Sequence, residues 1–242
     1  VWLEMLVKKG EWEQVGKRLS SLASQGQRQY TEDPDAIRAL LRDIASEDSL
    51  AYHAALRSLS ADHGAYAVPL MIGILADESA DDRRVRYMQA LSAMGDGVVL
   101  PLVEALDSPN AFQRRNVALT LGYIGDKRSA PYLAFAAQVD TDPGVRQAAA
   151  QALGKVGGGS AAAGFLDMGN AYHLQRADVL RPHQVTGVLW SWHGNRLEFT
   201  RVPAFLYHEE LALKNYYRAL TADPGSLEAL SGIARAGVGV IE

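Results

Sequence analysis

The sequence predicts an all-α protein built from repeated helical hairpins, an α-solenoid, with a small β-hairpin near the C-terminus. Three observations support this prediction. Apolar, helix-like segments recur with a period of about 31 residues between residues 50 and 165. Glycines and prolines repeat with the same period. From about residue 178 the period stops, and β-branched and aromatic residues become frequent.

Glycines mark the end of the first helix in each repeat. Gly95, Gly125 and Gly157 lie 30 and 32 residues apart, and each follows an apolar pattern. Glycine often ends a helix because it adopts left-handed backbone angles without a steric penalty. Pro101 and Pro131 each follow a glycine by six residues, in the first turn of a second helix, where a missing N–H costs nothing. Each unit is therefore predicted to contain two helices and an acidic linker.

The first helix of each unit begins with a capping side chain and continues with small residues, which allow two helices to approach closely. Residues 110–122 and 142–154 share this pattern. Residues 82–86 form a third copy, although its aspartate and its glycine align only with a two-residue shift. The pattern resembles HEAT repeats, in particular the short variety first noted in phycobilin lyases, over about residues 48–170. This resemblance implies a HEAT/armadillo-like superhelix but no single function, because the repeat serves many purposes.

The N-terminal residues are predicted to form further helices. Residues 2–9 and 11–23 are expected to form a pair, the polar run 24–33 a loop, and residues 34–45 a helix led by a proline. We interpret residues 1–47 as divergent N-terminal repeats and residues 48–177 as the HEAT-like repeats. Because Val1 begins a helix-like pattern without an initiator methionine, we expect the chain to be part of a longer precursor.

Residues 178–242 are predicted to combine a β-hairpin with two helices. Residues 185–192 and 196–202 have strand character, and turn residues separate them. The spacing of four residues in the following helix and turn resembles a tetratricopeptide repeat (TPR): Ala212, Tyr216, Ala219 and Pro224. The hairpin stands where the first helix of that repeat should be, so a TPR peptide groove is not expected.

Composition and charge narrow the function classes. A formal net charge of -4 provides no basic field for nucleic acid or anionic lipid. No run reaches 18 apolar residues, so we expect no membrane insertion. The absence of cysteine excludes disulfides, thiolate metal sites and cysteine nucleophiles, and it is compatible with the cytoplasm or an extracytoplasmic site. The localisation therefore stays unknown. We expect the chain to be soluble, with any targeting signal absent from it.

Local motifs for catalysis or metal binding are not found. The six histidines form no close pair on one helix face, and solvent-exposed or capping roles are favoured. The glycine-rich residues 154–160 lack the Walker pattern, and a flexible turn between helices explains them better than a phosphate site. Catalytic groups could still converge from distant positions. We predict no catalytic residue, no metal, no cofactor and no enzymatic activity.

Arginines recur near the start of three first helices, together with acids or an asparagine. Stacking could align them into a stripe that binds phosphate or an acidic protein. We favour a structural ladder that joins neighbouring units, because each arginine group has acids nearby. The candidate ladder residues are Asp82, Arg86, Asn110, Arg114, Arg115, Asp142 and Arg146.

The C-terminal end supplies the candidate partner-binding residues. Trp190 and Trp192 share one face of a strand, and Leu230 and Ile233 lie on the last helix. Repeat arrays need polar end units, and neither end of this chain has an obvious one. We expect other protein subunits, or flanking repeats of the same protein, to cover these ends. The alternative is that the apolar side chains pack against their own neighbouring helix.

The sequence favours a non-catalytic protein–protein interaction scaffold, a section of a larger multidomain or assembly-forming protein. No nucleic-acid partner is expected, because residues 69–76 and 131–138, on the second helices, carry no lysine or arginine. The resemblance to phycobilin lyases implies one alternative. It is an accessory enzyme that binds a tetrapyrrole in the concave groove.

Overall fold

The computed structural model of the protein describes residues 11–180 and 186–241. The chain divides into two compact units, residues 1–70 and 71–242. From residue 11 onward, where the structure describes it, the first unit consists of three helices and short irregular turns of helix: α1 (Glu11–Thr31), α2 (Pro34–Ile44), α3 (Ser49–Ser58), a π-helical turn (Leu59–His63) and a 3-10 turn (Gly64–Ala67). Helix α4 (Val68–Met71) lies across the boundary between the units.

In the first unit, α1 is longer than the sequence predicts. It continues as one helix of 21 residues to Thr31, through the polar run that was expected to be a loop. Gly26 is tolerated inside the helix because an isolated glycine costs only about 1 kcal/mol. The helix ends where Asp33 and Pro34 begin α2, with the Asp33 side chain accepting hydrogen bonds from the first backbone N–H groups. The predicted helix over residues 2–9 lies outside the described residues.

The second unit contains the repeats and the C-terminal segment. Its elements are α5 (Asp81–Met94), α6 (Val99–Glu104), α7 (Ala111–Ile124), α8 (Ala130–Val139), α9 (Pro143–Val156), α10 (Ala161–His173), β1 (Thr186–His193), β2 (Arg196–Pro203), α11 (Ala204–Ala222) and α12 (Leu227–Ile241). Short 3-10 turns lie at Ile72–Ala76, Gly95–Val98, Ala105–Asp107 and Lys127–Ser129. The predicted all-α, HEAT-like solenoid fold with a small hairpin is confirmed. The predicted boundaries after residues 47 and 177 stay predictions.

Three first helices, α5, α7 and α9, have the same length, although only their ends share a signal. Asn110 and Asp142 cap the starts of α7 and α9, whereas Ala80 at the start of α5 provides no side-chain cap. Each has 14 residues and ends at a glycine with positive φ. The φ angles of Gly95, Gly125 and Gly157 are 70°, 74° and 76°, in the region that glycine reaches without strain. The predicted helix ends are therefore confirmed.

Small residues let α7 and α9 approach closely. A Cβ atom at Gly122 would lie 2.7 Å from the Cβ and 2.8 Å from the Cα of Ala152.

Buried polar side chains of α7 connect it to an earlier part of the second unit. Gln113 donates to the carbonyl of Ile72 at 2.7 Å, and Asn116 donates to the carbonyl of Leu75 at 2.9 Å. Because these side chains are buried and paired, they fix the position of α7 against the short 3-10 turn at Ile72–Ala76.

The arginine ladder is built from the fourth residue after each helix cap. Arg114 donates to both carboxylate oxygens of Asp140, each at 2.7 Å, and so joins one repeat to the next linker. Its guanidinium also reaches the carbonyl of Ser108 at 2.8 Å, and Arg146 donates to the carbonyl of Asp140 at 2.6 Å. Burial alone would raise the pKa of Asp140. The hydrogen bonds from Arg114 and from the backbone N–H of Asp142, together with the charges of Arg114 and Arg146, outweigh burial and hold that pKa below its usual range.

The caps of these helices use the predicted side chains. Asn110 accepts a hydrogen bond from the backbone N–H of Gln113, and Asp142 accepts one from Val145, each at 2.9 Å. These two residues therefore begin α7 and α9, and each lies four positions before the ladder arginine of its helix.

Three predicted ladder residues do not lie where the sequence pattern put them. In the first copy Arg84, not Arg86, takes the ladder position and donates to the carbonyl of Asp77 at 2.7 Å. Asp82 is exposed in the first turn of α5. The helix begins one residue before it, at Asp81, and the fixed helix length up to Gly95 determines which residue takes the ladder position. Arg115 is exposed and forms no hydrogen bond with any residue that the structure describes.

The hairpin forms from the two predicted strands, which are rich in β-branched and aromatic residues. The strands β1 and β2 are antiparallel, with Trp190 opposite Phe199 and Trp192 opposite Leu197. Gly194, at φ 58°, begins the two-residue turn between them. Gly187 lies against the Tyr207 ring so closely that a Cβ atom would overlap that ring. The start of β1 is thereby fixed against α11.

Helices α11 and α12 extend the second unit beyond α10. Their core contains a cluster of large buried side chains: Met168, Tyr172, Tyr207, Leu211 and Tyr216. The Tyr216 hydroxyl donates to Asn170 Oδ1 at 2.8 Å, which joins α11 to α10. Gly232 of α12 faces the same tyrosine ring, with no room for a side chain. The two helices therefore pack as a pair against the repeats.

The residues Ser49–Ala76 are, by length and composition, apolar enough to cross a membrane, with a mean hydropathy of 1.2 over the best window. This one marginal segment means that the prediction of no membrane insertion is supported only weakly. Core helices of water-soluble proteins meet the same criterion, and 39% of this window is buried inside the protein.

The close contact of α7 with α9 predicts opposite effects for two equivalent glycines. Gly122→Ala should destabilise the protein by about 1–3 kcal/mol, because the new methyl group meets the backbone of Ala152. Gly154→Ala, at the same position of the next first helix, should stabilise it by up to about 1 kcal/mol, because no atom lies within 4 Å. Thermal and urea unfolding measure both. Equal effects at the two positions would contradict the close approach.

The ladder predicts that two adjacent arginines differ in their contribution to stability. Arg114→Ala should lower the free energy of unfolding by about 2 kcal/mol at pH 7, because Asp140 loses its charged partner. Arg115→Ala should change it by less than about 0.5 kcal/mol. Because the pKa of Asp140 is lowered on folding, its stabilisation is present above the unfolded pKa of about 3.9 and is lost as the pH falls through the folded value.

The same unfolding measurements at low pH provide the control. Once Asp140 is protonated, wild type and Arg114→Ala should become closer in stability. A difference between them that does not depend on pH would show that the arginine acts through its backbone carbonyl bonds alone.

Candidate functional site

The hairpin does not present both tryptophans to a partner. Trp190 is 5% exposed and contacts Phe199, with ring centroids 5.2 Å apart. Trp192 is half-buried, and its indole N–H donates to the carbonyl of Gly194 at 3.1 Å. Trp190 belongs to the interior because β1 packs against α6 and α11. Of the two, only Trp192 retains surface that a partner could contact.

Helix α12 has one face toward α11 and one toward solvent. Ile233 packs against the core cluster of α10 and α11, so it belongs to the inner face. Leu227 is 78% exposed and Leu230 is 49% exposed. With Ala234, which is also exposed, they lie three and four residues apart, on one side of the helix. We call Leu227, Leu230 and Ala234 the outer stripe of α12.

The structure therefore separates the four candidate partner-binding residues. Leu230 faces solvent on the outer stripe, whereas Ile233 and Trp190 are engaged inside the protein. Leu227 was not among the candidates, although it is more exposed than Leu230. A helical pattern that starts at Leu227 could have identified it, since residues 227, 230 and 234 follow the i, i+3, i+7 spacing.

The second helices α6 and α8 do not form an open groove in the second unit, because β1 and α11 reach them. Arg218 of α11 lies over the Tyr132 ring of α8, 4.9 Å from its centroid, and pairs with Asp107 at 2.7 Å. Lys214 of α11 pairs with Glu104 of α6 at 2.6 Å. Glu104, Asp107 and Tyr132, on this side of the second helices, are thus engaged by the C-terminal segment.

The contact between the C-terminal segment and α6 is built on charge. Glu104 is buried, and burial raises its pKa, while Lys214 and Arg218 oppose that rise. Lys214 also donates to the backbone carbonyl of Trp190 at 2.7 Å, so one ammonium group joins α6, α11 and β1. Breaking a buried ion pair leaves an uncompensated charge inside the protein. Because any other position of the hairpin would break this pair, the three-way contact is specific for one docking position.

A separate cleft of about 590 Å³ lies at the start of α10. The glycine-rich residues 157–160 form one wall, and the Ser160 side chain accepts a hydrogen bond from the backbone N–H of Ala163 at the helix start. Arg128 and Arg176 line the cleft, but each is paired with aspartates that also line it. Lys127 is exposed and forms no ion pair within the described part of the chain.

Two histidines meet at one carboxylate, which the sequence spacing did not predict. His173 Nδ1 lies 2.8 Å from Glu209 Oε2, and His208 Nδ1 lies 3.7 Å from Glu209 Oε1. His173 ends α10 and the other two lie on α11, so only the antiparallel contact of these helices brings them together. In the described residues, no group of three or more histidine or acidic side chains has the arrangement of a metal site.

Comparisons with known proteins agree with the repeat architecture. Residues 99–172, which contain α6 to α10 almost completely, match the family model for HEAT repeats. A stretch of 100 residues is 35% identical to the phycocyanobilin lyase subunit beta of Thermosynechococcus vestitus. That match covers 41% of this chain and 46% of the other protein, so the chain spans less than half of its relative's length. The chain thus contains HEAT repeats, and the comparisons support its resemblance to HEAT-like repeat proteins of the phycobilin-lyase type.

Proposed function

We propose that this protein is a non-catalytic repeat scaffold that binds another polypeptide through the outer stripe of α12. The observation that supports the proposal is the exposure of two leucines on one face of the last helix, where a further helix could stack. Burying each leucine would contribute about 1.5–3 kcal/mol. The partner is therefore a helical surface with its own apolar stripe, from another subunit or from a flanking repeat.

The covered groove also favours a scaffold. Charged and aromatic side chains of α6 and α8 are engaged by Lys214 and Arg218 of the same chain. A ligand could reach them only by displacing the hairpin and part of α11. Surfaces that need no such displacement are the outer faces of the helices, and these suit contacts with other proteins.

Substitution of the outer stripe tests the proposal. The double variant Leu227→Asp/Leu230→Asp should weaken self-association or partner binding by at least about 100-fold, because two apolar contacts are lost and two charges would be buried. Sedimentation equilibrium of the purified chain over a wide concentration range measures self-association. Co-purification of the same variant with its native assembly measures binding to other subunits.

Leu50→Asp is the matched control, because Leu50 is an exposed leucine on α3 that lies outside the stripe. It should leave association unchanged, and circular dichroism should show folded helices in both variants. Two results together would contradict the proposal. The wild-type chain would stay monomeric at every concentration, and the wild type and the double variant would bind the native assembly equally well.

A second candidate function rests on the similarity to the phycocyanobilin lyase subunit beta. A linear tetrapyrrole carries carboxylates on an apolar framework. The cleft beside α10 offers Lys127, which forms no ion pair with the residues that the structure describes, and apolar walls that include Pro131, Met168 and Val179. This candidate would make the chain an accessory enzyme, with the cleft rather than the covered groove as the tetrapyrrole site.

Titration with phycocyanobilin distinguishes the two candidates. A scaffold should leave the visible absorption spectrum of the pigment unchanged at stoichiometric protein concentration. A spectral shift that saturates, and that Lys127→Glu weakens, would instead favour tetrapyrrole binding in the cleft. Leu227→Asp/Leu230→Asp serves as the control protein in the same titration, since its cleft is unaltered.

A further inference from the structure

A small cavity lies inside the second unit, beneath β1. Side chains of α6, α8, α10, α11 and β1 line it, and its volume is about 10 Å³. That volume corresponds to about one water-sized sphere, so no larger ligand would fit without movement of the hairpin. The cavity is close to the Glu104–Lys214 pair, because both residues belong to its lining.

Two polar groups in the lining lack a protein partner. The Tyr172 hydroxyl and Asn215 Oδ1 are buried without a hydrogen bond to any residue that the structure describes. Both side chains belong to residues only 1% exposed. The orientation of the Asn215 amide is fixed, because its Nδ2 donates to the carbonyl of Leu211 at 2.8 Å. Leaving such groups unpaired would destabilise the folded protein, because each group gives up its hydrogen bonds to water on burial.

We infer that this cavity is a binding site for one ordered water molecule that bridges Tyr172 and Asn215. The tyrosine hydroxyl donates to the water, and the water donates to Asn215 Oδ1. Lys214 has three N–H groups, of which two bond to Glu104 and to the carbonyl of Trp190. Its third N–H gives the site a further donor. A buried water with two to four polar partners is a stable part of a protein interior.

The water extends the charged contact that holds the hairpin. Lys214, paired with Glu104, holds β1 through the carbonyl of Trp190, and Tyr172 of α10 lines the same cavity. The bridge therefore connects the last HEAT-like helix to α11 beneath the hairpin. It acts as a structural ligand, independent of whether the outer stripe of α12 binds a partner.

Tyr172→Phe tests this inference through the sign of its effect. If the water is bound, removal of the hydroxyl should increase the unfolding equilibrium constant by about fivefold or more, because a hydrogen bond is lost and Asn215 is left poorly paired. If the cavity is dry, the same substitution should stabilise the protein, because it removes an unpaired buried hydroxyl. A high-resolution crystal structure of the wild-type chain should show one water within hydrogen-bond distance of both groups.

Tyr216→Phe is the matched control. It removes a buried tyrosine hydroxyl that is paired directly with Asn170. It should also lower stability, but it should leave the water in place, whereas Tyr172→Phe should remove it. A wild-type cavity without density for water would overturn the inference, as would a Tyr172→Phe variant of unchanged or higher stability.

Discussion

Close stacking of first helices of equal length is the constraint on which the rest of the structure depends. The helices α5, α7 and α9 have 14 residues each, and a glycine ends each of them. Equal length places the ladder arginine at the same turn in every repeat and places Gly122 opposite Ala152. If one helix were a residue longer, every following side chain would rotate by about 100°, and neither contact would form.

The buried charges at the C-terminal segment depend on that stack in turn. Glu104 can meet Lys214 and Arg218 only if α6 is held at a fixed position relative to α11. Polar contacts of this kind contribute less to stability than apolar ones, but they discriminate strongly between docking positions. The hairpin therefore has one position over the second helices, and that position determines which surfaces of the unit stay open to other molecules.

The sequence predicted the repeats well because their signals are local. A capping side chain and a terminal glycine act within one helix, and so Asn110, Asp142 and the three glycines were identified from spacing alone. The assignment of Asp82 and Arg86 failed because two aspartates and three arginines near the start of α5 offered more than one register, and only the fixed helix length selects Arg84. The polar run before Thr31 was misassigned because polarity does not end a helix without a breaker such as proline.

Contacts between distant residues could not be derived in the same way. The burial of Trp190 follows from the docking of β1 onto α6, which no spacing in the sequence records. The pairing of Glu209 with two histidines requires the antiparallel contact of α10 and α11. The exposed face of α12 could not be predicted for a related reason: the pattern shows that α12 is amphipathic, but only the contacts of Gly232 and Ile233 show which face is covered.

Gly187 has a consequence for how the sequence of this protein can change. Its backbone lies directly against the Tyr207 ring, so the two positions share one volume. A side chain at position 187 requires a smaller residue at position 207, and the loss of the ring in turn leaves a void that a side chain from β1 could fill. Related chains that keep the hairpin in this place should therefore vary at these two positions together, and such paired variation would mark the docked hairpin in sequences alone.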